Sequence, residues 1–204
     1  MIYKIQKKQI ICTVLALIIS LCATGILTEA KVTEVQKKMA DEVFRFHVLA
    51  NSDSEKDQAL KMKVKEKVID YMKEELPESE SVEMTKAWAK NHLAEIEAMA
   101  EDALQKEGCI DTVKAEVTTC YFPDKTYGDI TFPKGEYEAL RIEIGAAKGQ
   151  NWWCVLYLNL CFIDAVHAVV PDEEKKELKE VLDEEEYEMV TATSKFKIKW
   201  FFFR

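Results

Sequence analysis

The side chains most capable of chemistry are few and scattered: six cysteines and three histidines in 204 residues. Cys154 and Cys161 stand seven apart in Asn151–Asp164, a nearly unbroken apolar run that also holds the adjacent pair Trp152 and Trp153. A Cys-His nucleophile needs a thiolate held beside a base in a polar, accessible place. Trp153, Val155, Leu160 and Phe162 flank these two thiols instead, which favours burial or a disulfide. The pair would stand about 23 Å apart in a strand and about 10 Å apart in a helix, against a Cα limit near 7 Å for a disulfide. Bridging them therefore requires the chain to reverse near Tyr157-Leu158-Asn159, which the sequence permits without demanding. Cys109 and Cys120 flank one predicted strand, too far apart to pair across it if it is straight. No C-x-x-C pair is present.

His47, His92 and His167 offer no H-E-x-x-H and no ligand-spaced pair, so neither a metal nor a cofactor is expected. Asp164 and His167 are close enough in sequence to share a helix turn, a chance pattern. His92 lies between Trp88 and Ile96 at four-residue steps and reads as a helix-face histidine at the core edge. No G-x-S-x-G elbow or glycine-rich phosphate loop occurs, and the acidic run Asp183–Glu186 reads as a solvated helix face. No catalytic constellation results, and the chain is expected not to be an enzyme.

These residues need a scaffold. Apolar residues make up 48% of the chain and charged ones 32%, which fits a folded body rather than a disordered one. The formal charge of −9 argues against nucleic acid as a partner. The N-terminus differs from the rest. Lys4, Lys7 and Lys8 precede the uncharged run Ile10–Leu27, a basic flank and apolar core that read as an export signal. Thr28-Glu29-Ala30 puts small residues at −3 and −1 of a cut after Ala30, while eighteen apolar residues also reach the lower limit of a membrane anchor. Bulky Leu21 disfavours a lipoprotein cut before Cys22. The domain reading is residues 1–30 as signal peptide or N-terminal membrane anchor and 31–204 as the exported body. Export machinery is a partner in either case, and membrane contact runs through the N-terminal segment if it is retained.

After a polar helical link over Lys31–Asp41, the periodicities predict an α+β fold. A buried strand covers Val43–Leu49, and Ser54 opens a helix three residues before Asp57. That helix carries Leu60, Val64, Val68, Tyr71 and Met72 on one stripe and stops near Pro77; a second runs from Val82 to Lys106 and ends at Gly108. Val113–Val117 and Glu138–Ile144 alternate as strands of a mainly antiparallel sheet, separated by the turn-rich 121–137. A third helix opens at Pro171, and Lys195–Trp200 reads as a closing edge strand.

Three long blocks carry a resemblance: FRFHVLANSDSEKDQALKMKVKEKV, YGDITFPKGEYEALRIEIG and GQNWWCVLYLNLCFID. Together they resemble the stage II sporulation protein R family of endospore-forming bacteria, in the family's order, over about residues 43 to 203. The resemblance implies a secreted intercellular signalling protein, exported from the forespore into the space between it and the mother cell. There it would activate a membrane-embedded aspartic protease that processes pro-sigma-E. Family members usually have two prolines where this chain has Leu158-Asn159, so the reversal between Cys154 and Cys161 loses a stiffener here. The receptor contacts expected on this reading are Trp152 or Trp153, with Asn51 and Asp53 from the first block. Since strand neighbours point to opposite faces, one tryptophan is expected in the core and one outside. The competing reading is an exported envelope-remodelling enzyme or wall-binding module at the sporulation septum.

Overall fold

The computed structural model describes residues 2–76, 81–157 and 170–191, with the side chains of 2–11, 25–32 and 173–174 left aside. The chain divides into two units, Met1–Lys38 and Met39–Arg204. Helix α1 (Ile2–Glu42) forms the first unit and enters the second with its last residues. It is one continuous helix through the expected link, and its described side chains from 12 to 24 are all exposed. Among the described residues, no helix is long and apolar enough to cross a membrane. The ends of the apolar run 10–27 lie outside the residues whose side chains are described.

The second unit is built on a four-stranded sheet in the order β2-β5-β1-β6. Its strands are β1 (Phe44–Leu49), β2 (Val113–Phe122), β5 (Gly135–Ile144) and β6 (Asn151–Tyr157). A separate hairpin joins β3 (Lys125–Tyr127) to β4 (Ile130–Phe132) within the turn-rich segment. β2–β5 and β1–β6 are antiparallel, as expected, whereas β1–β5 is parallel. The three-helix connection returns the chain as β2, opposite in direction to β1, and the reversal through the β3–β4 hairpin then sends β5 along β1's own direction.

Those helices are α2 (Glu55–Glu75), α3 (Val82–Asn91) and α4 (Leu93–Lys106). The Ser54 hydroxyl caps α2 by accepting from the Asp57 N–H at 3.1 Å, as its spacing predicts. The single helix expected over 82–106 is broken at His92. Its ring Nδ1 lies 2.7 Å from the Trp88 carbonyl and stacks on the Trp88 ring at 4.4 Å, and its backbone leaves the helical region at φ −114°, ψ 15°. A side chain that bonds back to the i−4 carbonyl competes with the helix at that point.

Each strand splits its side chains between two cores. Toward the helices point Phe44, Phe46 and Val48 of β1 and Leu140, Ile142 and Ile144 of β5, packed with Val64, Met72, Ile96 and Leu104. On the other face, Tyr137, Ala139, Val155 and Phe122 pack with Met39, Ile130 and Phe132, and with Leu178 of α5 (Asp172–Val181). Every residue of β1 is buried. A further helical stretch covers 184–191 and takes in most of the acidic run, whose Asp183, Glu184 and Glu185 are exposed as expected while Glu186 is buried. The Asp183 N–H donates to the Glu186 carboxylate at 2.8 Å and the Glu186 N–H to Asp183 Oδ1 at 2.9 Å, a reciprocal cap with Glu186 buried. The closing strand expected over Lys195–Trp200, and the Asp164–His167 pair, lie outside the described residues.

Candidate functional site

Two arrangements gather the residues singled out by sequence, one at the end of β1 and one on its charged face. At the first, the segment after β1 is clasped to the β5–β6 connection. Asn51 accepts from the Ala146 N–H at 2.8 Å and donates to the Asp57 carboxylate at 3.0 Å, which also receives the Ser52 hydroxyl at 2.5 Å. Asp53 accepts from the Gln150 N–H at 2.7 Å. The backbones join as well: Lys148 N–H donates to the Asn51 carbonyl at 3.2 Å and Gly149 N–H to the Ala50 carbonyl at 2.9 Å. Buried Lys61 closes the clasp from α2, donating to Gln58 at 2.6 Å and to the Gln150 carbonyl at 3.0 Å. The Ser52 hydroxyl, then the Asn51 amide, hold the Asp57 carboxyl below its ordinary value. Burial pulls the Lys61 ammonium down, with Asp53 opposing.

The fit requires glycine twice. Gly145 has φ +55°, and a Cβ there would lie 2.5 Å from Asn51 Oδ1; a Cβ on Gly149 would lie 2.2 Å from the Ser52 carbonyl oxygen. Asn51 and Asp53, the polar candidates for a receptor contact, are thus occupied in holding two loops together, with Asp53 still exposed.

The second arrangement is polar chemistry inside a core. Arg45 is fully buried, with its guanidinium carbon 4.3 Å from the Phe122 ring centroid, 4.8 Å from Tyr137 and 5.7 Å from Phe132. Its Nη2 donates to the Tyr127 hydroxyl at 3.2 Å, while Nε and Nη1 have no hydrogen-bond partner among the described residues. Two residues along β1, His47 is buried too, stacked on Trp153 at 5.0 Å with Nε2 3.4 Å from Cys120 Sγ. Burial first, then the Arg141 and Arg45 charges, lower the His47 pKa to about 3. Burial raises the Cys120 thiol. Both groups are therefore neutral near pH 7, sharing one proton-bearing contact between Sγ and Nε2, while Nδ1 has no hydrogen-bond partner among the described residues. Such a pair is a poor nucleophile, because the thiolate is the reactive form. Sequence reading missed it, since 73 residues separate the partners and neither lies in a motif.

The tryptophans alternate as expected, but neither points freely outward. Trp152 meets Phe46 edge-on at 5.5 Å and carries Lys65 Nζ 5.5 Å from its ring centroid, while Trp153 packs against His47 and Phe122. Both are half-buried, because β6 has a core on each side of it. Cys154 is buried, and the free thiols among the described residues are Cys12, Cys22, Cys109 and Cys120. Cys161 lies outside the described residues, so the pairing of Cys154 with it stays an expectation. Among the described residues, no group of three or more His, Cys, Asp or Glu side chains could hold a metal ion.

A family profile described as Stage II sporulation protein R (spore_II_R) matches residues 40–167. The chain is also similar to the Stage II sporulation protein R of Bacillus subtilis (strain 168), with 34% identity over 191 residues, covering 92% of this chain and 85% of that one. No solved structure matches the chain.

Gly149→Ala forces its new methyl against a backbone oxygen that cannot swing aside. Thermal unfolding should show a loss of about 1–3 kcal/mol, whereas Ala146→Gly, in the same loop, should cost less. His47 gives a pH signature. Its folded pKa lies below its unfolded one, so the unfolded chain binds the extra proton and stability falls as pH drops from about 6.5 toward 3. The loss reaches about 4–5 kcal/mol at the bottom of that window. Denaturant titrations between pH 6.5 and 4.5, above the main carboxylate range, should show a slope that His47→Gln flattens.

Proposed function

This chain belongs to the stage II sporulation protein R family and has a role in sporulation, and on that premise we propose that it is the exported signal that triggers processing of pro-sigma-E. Made in the forespore, it acts in the space between forespore and mother cell, held there as a secreted body or by residues 10–27. Its target is the membrane-embedded aspartic protease of the mother cell. The observation that carries the reading is the near end-to-end kinship with its Bacillus subtilis relative, over 92% of this chain and 85% of that one. The neutral His47–Cys120 pair supports a role through binding rather than through bond breaking.

A signal of this kind works by preferring the active state of its receptor. Moving a receptor from 1:99 to 99:1 takes about 10⁴-fold, or about 5.5 kcal/mol, of preference between the two states. Half-exposed aromatic rims are suited to supply it, so Trp152 and Trp153 are the anchors of the reading, with Asp53 as a polar neighbour. Cys154 and Cys161 are proposed to be bridged, in a chain that lacks the prolines usual in the family between them.

A strain lacking this chain should form its septum yet accumulate unprocessed pro-sigma-E. The wild-type gene should restore processing, and at least one of Trp152→Ala and Trp153→Ala should fail at normal protein level. Full rescue by both variants removes the anchor assignment. Normal processing in the deletion strain, with a septum or wall defect instead, favours envelope remodelling. Non-reducing peptide mapping of the exported protein should recover the Cys154 and Cys161 peptides as one linked species; separate alkylated peptides contradict the bridge.

A further inference from the structure

β2 is an edge strand, and only its first part is covered. Even-numbered positions turn their backbone toward β5: Gly145 N–H donates to the Thr112 carbonyl at 2.9 Å, and pairing continues without a register shift from Val113↔Ile144 to Phe122↔Gly135. Odd-numbered residues therefore direct N–H and C=O away from the sheet. α4 covers the first two, with Glu101 accepting from Val113 N–H at 3.1 Å and Glu97 from Ala115 N–H at 2.7 Å. Past them, the outward backbone groups of Val117, Thr119 and Tyr121 meet no hydrogen-bond partner among the described residues. Thr119 and Tyr121 are exposed. The usual guards of an edge strand (lysine, proline or a bulge) are missing from Val117–Phe122.

We propose that this edge is the contact of a two-fold homodimer, with β2 of a second copy lying antiparallel across Thr119. The edge is complementary to itself. Thr119 falls opposite its own copy and Val117 opposite Tyr121, so that each outward N–H meets an outward C=O in about six hydrogen bonds. Val117 against Tyr121 is also a favourable β-branched–aromatic cross-strand pair. Charge permits the approach despite the overall −9: no residue of Val117–Phe122 is ionised at neutral pH, and Glu116 falls opposite Phe122 rather than another acid. The contact is narrow, so the dimer is reversible and depends on concentration. It does not rest on the signalling reading, and either can fail alone.

The test is sedimentation of the full chain in mild detergent across a concentration series, paired with oxidative cross-linking. In the Cys120→Ser background, Thr119→Cys places sulfurs of the two copies across the two-fold on Cα atoms about 5.5 Å apart, within disulfide range. It should cross-link at least tenfold faster than Lys114→Cys, and Thr119→Pro, which removes an outward N–H, should shift the chain to monomer with its circular dichroism unchanged. If Thr119→Pro misfolds, Thr119→Lys serves on the same edge. A chain monomeric at every concentration, or cross-linking no faster at 119 than at 114, overturns the proposal. So does a monomer whose edge variants lose only their response to the protease, which would assign the edge to a receptor strand.

Discussion

Arg45 is the constraint around which one whole side of the body is arranged. A guanidinium taken fully out of water is costly unless something replaces its hydration. Here the replacement is mostly aromatic: three rings lie within 5.7 Å of its carbon, and one phenol takes a hydrogen bond. Cation–π contacts of this kind contribute about 1–2 kcal/mol each when desolvated. The rings come from different elements, Phe122 from the end of β2, Tyr137 from β5, and Tyr127 and Phe132 from the β3–β4 hairpin. Holding the cation thus fixes where the hairpin docks on the sheet. The same charge, with burial and Arg141, keeps His47 neutral and leaves Cys120 beside an uncharged imidazole.

β1 links that face to the rest of the body. Its even residues enter the helical core while its odd ones carry Arg45 and His47, so a one-residue slip would put these two polar side chains among Val64, Met72 and Leu104. The Asn51–Gly149 clasp sits immediately after β1 and before β6, where it holds the register of this pair. The family block around Asn51 therefore has a structural reason for its residue types, independent of any receptor. Trp152 and Trp153 at the start of β6 follow directly from the clasp, one on each core.

Local chemistry made much of this legible in the sequence. The Ser54 cap, the α2 stripe, the alternation of β2 and β5 and the opening of α5 all express rules that act within a few residues. What escaped depends on distant partners. His92 looked like one more helix-face position until its ring was seen bonding back to Trp88. The opposite fates expected for Trp152 and Trp153 assumed a sheet covered on one side, whereas β6 has cores on both. Asn51 and Asp53 were marked by the family resemblance, but their partners at Ala146 and Gln150 lie about a hundred positions away. The His47–Cys120 pair had no signal in the sequence, since only the strand order brings β1 and β2 onto one sheet.

The central claim, that this chain acts as a signal which switches on a protease, is tested most directly by reconstitution in a host that does not sporulate. The exported chain, the membrane protease and pro-sigma-E would be co-expressed, and the processed fraction read by immunoblot with and without the chain. The account predicts processing that depends on the chain and is lost when its leader is deleted, because the signal must reach the far side of the membrane. Equal processing with and without the chain would contradict it, as would full activity of the leaderless form.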